Sequence, residues 1–316
     1  MTATDARTAG RPGKSSPGRP RLSLAGRTRA ELAGFLVPAS VFFLLFFLFP
    51  LGYGIFMSTT EFRTGTFITG RAPFVGTANF EAILAEPVTT RALVNTVVIT
   101  VVSVVVELVL GLALALLFSR RFPGNRWLPT LILLPWLLPA VVVATVWKSL
   151  LAGEGPLNEV LRALRLPAEA WLANPATALP AVIVVAVWAS LPYWATILGA
   201  ALKQVPAEQL EAAQLDGAGS WRRLTAIVLP TIWPVVSVLV VMSVVYTLLI
   251  VDLVLVLTAG GPANSTVTLG LLSYRQAFQQ FEFGLGGAYG MLLLGISIVF
   301  AIVYTVLSMR RERAER

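Results

Sequence analysis

Glu211-Ala212-Ala213-Gln214-Leu215-Asp216-Gly217-Ala218, running on to Ile227, Leu229-Pro230 and Pro234, is the long polar segment between apolar runs that keeps helical patterning. Pro206 suits a helix's first turn, where its missing N–H is no loss. Glu208 comes next, as suits the positive end of a helix dipole. Gly217 is a natural stop, because glycine adopts the left-handed cap conformation without strain. Ser220 is placed to cap a second helix, and Pro230 and Pro234 limit or bend that helix. The stretch therefore reads as helix, glycine turn, helix, set between two membrane spans. A rigid polar knob of this kind suits docking against another protein. An ordinary connecting loop is the competing reading of the pattern.

Outward from this knob the chain is apolar. Of 316 residues, 56% are hydrophobic and 13% charged, against about a quarter charged in soluble domains. Six runs are each long enough for the roughly 20 residues that cross a bilayer: 34–57, 92–118, 128–150, 179–202, 232–257 and 285–309. Within hydrocarbon every backbone polar group must be paired inside its own segment, so these are helices. The short alternating pattern of a membrane barrel is not seen. Residues 1–30, rich in Arg, Gly, Pro and Ser, read as a disordered tail. That tail is too long and proline-rich, and the run after it too long, for a standard secretory signal. Gly13-Lys14-Ser15 imitates the end of a phosphate-binding loop, but Thr8 stands where its first glycine is required.

The basic residues set the orientation. Arg7, Arg11, Lys14, Arg19, Arg21, Arg27 and Arg29 crowd the first tail, Arg120, Arg121 and Arg126 share one short loop, and Arg310, Arg311, Arg313 and Arg316 end the chain. This is the positive-inside asymmetry of a membrane protein, not the basic face interleaved with aromatics that nucleic acid requires. It places both termini, loop 119–127 and the polar loop 203–231 in the cytoplasm, with 58–90, 151–178 and 258–284 outside. Residues 310–316 form the second cytoplasmic tail. In the outer loops Phe80 to Leu84 has weak helical spacing. Residues 156–166 are amphipathic, with Leu157, Val160, Leu161 and Leu164 on one face, which suits the membrane surface or a soluble partner. Asn264-Ser265-Thr266 is a chance sequon.

With neither cysteine nor histidine, the chain has no thiol chemistry and lacks the commonest general base and metal ligand. Two acids lie inside apolar runs, Glu107 in the second and Asp252 in the fifth. Such residues face a bundle interior or a wet cavity. For Asp252 a contact along a translocation path stands against a structural hydrogen bond, and for Glu107 the structural role is favoured. Pro135 and Pro139 interrupt the third run, and Pro192 the fourth, beside Tyr193 and Trp194. Prolines bend helices, bent helices line cavities, and aromatic faces stack on sugars. Tyr193, Trp194 and Tyr246 are therefore pathway candidates with Asp252, while Trp136, Trp147 and Trp188 suit the membrane interface. Gly284, Gly286, Gly287, Gly290 and Gly295 form a small-residue packing face, within the chain or against a second subunit.

Glu211, Ala212, Ala213, Asp216, Gly217, Ala218, Ile227, Leu229 and Pro230 resemble the EAA loop of ABC importer permeases. Val251-Asp252-Leu253-Val254-Leu255-Val256-Leu257-Thr258-Ala259-Gly260-Gly261-Pro262 resembles the signature of sugar permeases, with Val251, Leu255 and Ala259 replacing the usual Phe, Tyr and Gly. Glu107, Leu110, Gly111, Leu112 and Ala113 resemble the second span of the same carbohydrate-uptake (MalF/UgpA-like) family. The resemblance implies an all-α integral membrane protein with six transmembrane helices, the type I ABC importer permease fold over 91–309, and a cytoplasmic helix-turn-helix loop. It implies an ATPase-coupling role for Glu211, Ala212, Ala213, Asp216, Gly217 and Ala218, and a bacterial plasma-membrane location. The implied partners are a second homologous permease, an ABC ATPase dimer binding ATP and Mg, an extracellular solute-binding lipoprotein and a sugar or glycerol-phosphate substrate. No cofactor and no catalysis fall to this chain. An ion-gradient-driven transporter is the alternative, resting on Glu107 and Asp252; no internal repeat supports it. A membrane-embedded enzyme lacks a candidate site.

Overall fold

The computed structural model describes residue 34 and residues 36–69, 71–120 and 122–314, and the described residues are helical apart from connecting segments and isolated bridges. Residues 1–30 lie outside the described set. The helices are α1 (Leu36–Ser58), α2 (Thr64–Thr69), α3 (Ala78–Ala85), α4 (Pro87–Phe118), α5 (Leu128–Leu137), α6 (Ala140–Leu150) and α7 (Pro156–Ala163). They continue with α8 (Pro175–Leu202), α9 (Ala207–Leu215), α10 (Ser220–Leu248), α11 (Asp252–Leu257), α12 (Leu269–Tyr274) and α13 (Phe283–Ala314). Among the described residues five of them are long and apolar enough to cross a membrane, and six if the bent pair α5–α6 is counted as one span. The protein is multi-pass.

By contact the chain divides at Tyr53–Gly54. Up to Tyr53, α1 leaves every described side chain exposed, with Phe42 against Phe46 and Phe43 against Phe47 along its surface. An all-round apolar helix of this kind is suited to lipid.

The second unit is organised on α4, whose buried positions recur every three or four residues: Thr89, Ala92, Asn95, Thr96, Ile99, Thr100, Ser103, Val104, Glu107, Gly111 and Ala115. In a soluble helix such a face would be apolar. In lipid the bland face points outward and the small and polar residues point in, because packing and hydrogen bonds, not water exclusion, join membrane helices. Thr89 meets the Tyr289 hydroxyl of α13 at 2.7 Å, the Asn95 amide donates to Val267 O at 2.9 Å, and Thr96 Oγ1 accepts from Leu269 N at 3.1 Å. At Gly111 the backbone comes so close to α8 that a Cβ would sit 2.8 Å from that of Trp194. Two apolar clusters result. One gathers Ile99, Val143, Val182, Leu253, Leu269 and Tyr289; the other gathers Val104, Trp194, Leu198, Ile232 and Val236.

Three boundaries differ from those read in the sequence. The third span breaks: Leu138, placed before Pro139, is extended (φ −81°, ψ 139°), and α5 and α6 meet at 101°. A residue before proline avoids the helical region, and the uniformly apolar flanks hide the bend. The fifth span, expected over 232–257, runs from Ser220 to Leu248, and Asp252 opens the separate α11. The break falls among Leu249, Ile250 and Val251, where apolar residues on both sides erase any periodic signal. α13 runs on to Ala314, so 310–314 extends the last helix instead of leaving it. The expected outer helices are present as α3 and α7. Gly284, Gly286 and Gly287 do sit in close packing, against Thr60, Ala277 and Ser58, whereas Gly295 has open space beside it.

Candidate functional site

The connection between α8 and α10 has about two turns of exposed helix and two glycines, Gly217 and Gly219. Pro206 caps α9 instead of entering it, and Gly219, not Ser220, precedes α10. At the other end of α9, Gly217 adopts φ +78°. Its N–H donates to Gln214 O at 3.1 Å, and the Ala218 N–H reaches back to Ala213 O at 2.8 Å. These are the paired bonds of a Schellman cap, so the glycine turn expected from the sequence is fully formed. Arg223 Nη1 donates to Gln214 Oε1 at 3.0 Å, fastening the start of α10 to the end of α9.

This knob has a fixed root and a free tip. Val205 and Leu210 pack on the second apolar cluster with Leu202, Leu224 and Leu229. Glu211, Ala212, Asp216 and Gly217 are exposed, Ala213 and Ala218 half-buried, and Leu215 and Trp221 are 89% and 75% exposed. Among the described residues no ion pair or side-chain hydrogen bond engages Glu211 or Asp216. Two unengaged carboxylates flanked by bare Leu215 and Trp221 make a surface of protein-binding character. Pro230 comes after a π turn at Leu224–Val228, in which Leu229 N bonds Leu224 O five residues back. The wider turn accommodates a residue without an N–H, and the helix continues past Pro230 and Pro234.

The second feature is a cavity of about 850 Å³ along α10 and α13. Val238, Met242, Tyr246 and Leu249 line it at helical spacing and are all more than half exposed. Asp252, Ser237, Tyr304 and Thr305 give it polar edges. Tyr246 and Asp252 thus meet in one cavity, and Asp252 lies at its wall in the first turn of α11, not within a span. Tyr193 lies elsewhere, stacked on Trp136 at 5.6 Å where the third span bends. Trp194 is 1% exposed and fills the core against Gly111.

Glu107 is 2% exposed. Its Oε1 accepts from Ser190 of α8 at 2.5 Å and its Oε2 from Ser243 of α10 at 2.5 Å. One carboxylate thus joins three helices. Ser190 and Ser243 gave no separate signal in the sequence, because serine is common in membrane helices. The segment that resembles the sugar-permease signature forms a braced turn. Lys148 Nζ donates to Val256 O at 3.1 Å, Arg91 Nη1 to Ala263 O at 2.8 Å, and Arg275 to Ala259 O. Ala259 has φ +48°, so a glycine would be unstrained there and the alanine is not. Among the described residues no group of three or more acids could hold a metal.

Residues 107–313 match the family described as binding-protein-dependent transport system inner membrane component. The trehalose/maltose transport system permease protein MalF of Thermococcus litoralis is 31% identical over 270 residues, covering 85% of this chain and 90% of its own. The trehalose transport system permease protein SugA of Mycobacterium tuberculosis is 33% identical over 270 residues, 85% of either chain. The diacetylchitobiose uptake system permease protein NgcF of Streptomyces coelicolor is 32% identical over 282 residues, covering 84% of this chain and 78% of its own. The fold is that of a chain in the crystal structure of a bacterial alginate ABC transporter in complex with an alginate pentasaccharide-bound periplasmic protein. There the TM-score is 0.78 at 22% identity, over 92% of this chain and 98% of that one.

Proposed function

The chain belongs to the family of binding-protein-dependent transport system inner membrane components, and on that premise we propose that it forms half of a path for a sugar or sugar derivative and takes its drive from a separate ATPase docked on α9. It is a permease, a non-catalytic membrane subunit of an ABC importer. The observation that carries the docking role is the α9 knob itself: a rigid, glycine-capped helix rooted in the bundle, with Glu211 and Asp216 free at its tip. Glu211, Ala212, Ala213, Asp216, Gly217 and Ala218 make the ATPase contact, and ATP with its Mg belongs to that partner. The positive-inside distribution of arginines supports a cytoplasmic position for the knob and both termini, and the family resemblance supports a bacterial plasma membrane.

The sugar class rests on relatives named for trehalose, maltose and diacetylchitobiose. Glycerol-phosphate substrates belong to the same chemical range. Tyr246 and Asp252 supply a ring face and an acceptor at the cavity wall, with Tyr193 as a second ring nearer the bend. The open side of the cavity is where a second permease closes the path, and a solute-binding protein outside delivers the substrate. In operation, closure of the ATPase dimer pushes α9, and α8 and α10 move with it. The permease core extends over 91–309, with the connection 203–219 and the start of α10 as its coupling part. The ion-gradient alternative finds no support among the relatives, and Glu107 is engaged by two serines.

The test is uptake into vesicles that hold the permease pair, the ATPase and the binding protein. ATP-dependent uptake that is lost in Glu211→Lys, with assembly of the membrane subunits preserved, is the expected result. Uptake that tracks a proton or sodium gradient and ignores ATP would overturn the reading.

A further inference from the structure

We propose that Glu107 is a positioning residue for transport: it ties α8 to α10, the two helices that leave the coupling loop, so that displacement of α9 reaches the cavity as one joint movement. The proposal rests on the reading of α9 as the ATPase dock.

Glu107 belongs to α4, which contributes nothing to the loop. Its two carboxylate oxygens are divided between the helices on either side of it, Ser190 on α8 and Ser243 on α10. Ser190 lies 12 residues before the end of α8 at Leu202, or about 18 Å at 1.5 Å per residue. The tie is therefore well inside the bundle. Nearer the loop α8 and α10 meet through apolar side chains, among them Leu198, Leu202, Leu229 and Ile232. In lipid such contacts have little to hold them in register, since the surrounding tails are as apolar as the side chains. A carboxylate bonded at both oxygens fixes height and rotation together.

The rotation matters because of the residues beside Ser243. Met242 precedes it and Tyr246 lies nearly one turn later, and both line the cavity. Holding Ser243 inward keeps Met242 and Tyr246 on the cavity side. Two further hydroxyls on α4, Ser103 and Thr100, are 0% and 5% exposed and have no hydrogen-bond partner among the described residues. They sit one and two turns from Glu107 on its buried face. Buried groups left unpaired in one arrangement call for an explanation. Here they offer Ser190 or Ser243 a second bonding position after a shift of about one turn, roughly 5 Å.

The experiment uses the complete transporter in vesicles and reads ATP hydrolysed per substrate molecule taken up. Ser243→Ala severs α10, whereas Ser190→Ala loosens α8, which keeps Trp194 beside the carboxylate; Glu107→Ala severs both, and Glu107→Gln keeps a donor and an acceptor. The expected result is a ratio raised about fivefold or more in Ser243→Ala, more than twofold in Ser190→Ala, highest in Glu107→Ala, and restored to within twofold in Glu107→Gln. A purely structural role would lower yield or melting temperature and leave the ratio alone. Serine variants that assemble with a ratio within twofold of the original, while Gly217→Pro raises it, would overturn the tie and spare the docking reading. An unchanged ratio in Gly217→Pro as well would sink the docking reading itself, and the tie with it.

Discussion

Gly217 is the point at which backbone geometry alone should control coupling. It stands at φ +78° with nothing within 4 Å of where a Cβ would be. Replacing it by alanine therefore creates no clash, and the whole effect is the left-handed penalty, about 1 kcal/mol or somewhat more. Asparagine bears that conformation better, so Gly217→Asn should cost a fraction of it. The cap bonds at risk are Gly217 N to Gln214 O and Ala218 N to Ala213 O. At about 1 kcal/mol, protection of these two amides against hydrogen exchange should fall roughly fivefold in Gly217→Ala. It should fall less in Gly217→Asn. ATP-driven uptake should rank in the same order, glycine above asparagine above alanine, while the thermal unfolding of the bundle hardly changes because α9 buries no residue fully. Equal exchange rates in the alanine and asparagine variants would refute the reasoning. Uptake that drops equally in both, with the cap intact, would move the cause from conformation to contact with the partner.

Two further outcomes test the scaffold. Gly111→Ala places a methyl group 2.8 Å from Trp194 Cβ and 3.5 Å from its backbone; the overpacking should destabilise the α4–α8 contact by about 1–3 kcal/mol, read as a lower melting temperature in detergent. Asn158→Ala removes a 1%-exposed amide whose Nδ2 donates to Ala152, Gly153 and Glu169 carbonyls and whose Oδ1 accepts from Glu169 N and Trp171 Nε1. Those orphaned groups should cost about 2 kcal/mol or more, seen as faster proteolysis within 152–174 while the spans stay protected.

The sequence was most informative where one residue type has one physical use. Gly217 announced the cap, and the polar run around it announced the knob, because nothing else interrupts hydrocarbon so abruptly. It was least informative inside the spans. Pro135 and Pro139 signalled a disturbance, but proline is compatible with a mild kink, and only the extended Leu138 turns it into a 101° break. The end of α10 at Leu248 carried no mark at all, since Leu249, Ile250 and Val251 read like the helix before them. Asp252 is the one clue there: an acid suits a helix's first turn, yet amid an apolar run it looked buried. Glu107 was visible as an acid in the membrane. Its partners were not, because Ser190 and Ser243 lie 83 and 136 residues away and only packing brings them to it. Trp194, beside Pro192, was grouped with Tyr193, though α8 runs unbroken through that proline and one step of helix rotation separates the buried ring from the half-buried one.

The bend between α5 and α6 bears on how the molecule is made. Its arms run over Leu128–Leu137 and Ala140–Leu150, each about half of the roughly 20 residues that lipid requires. Neither arm can hold its depth unaided, and the support comes from segments synthesised afterwards: α8, which both arms contact, and α11, whose Val256 carbonyl receives Lys148. Ribosomal order and final architecture therefore disagree at this place. The contacts that seat the bent pair are complete only once α11, which ends at Leu257, has been made.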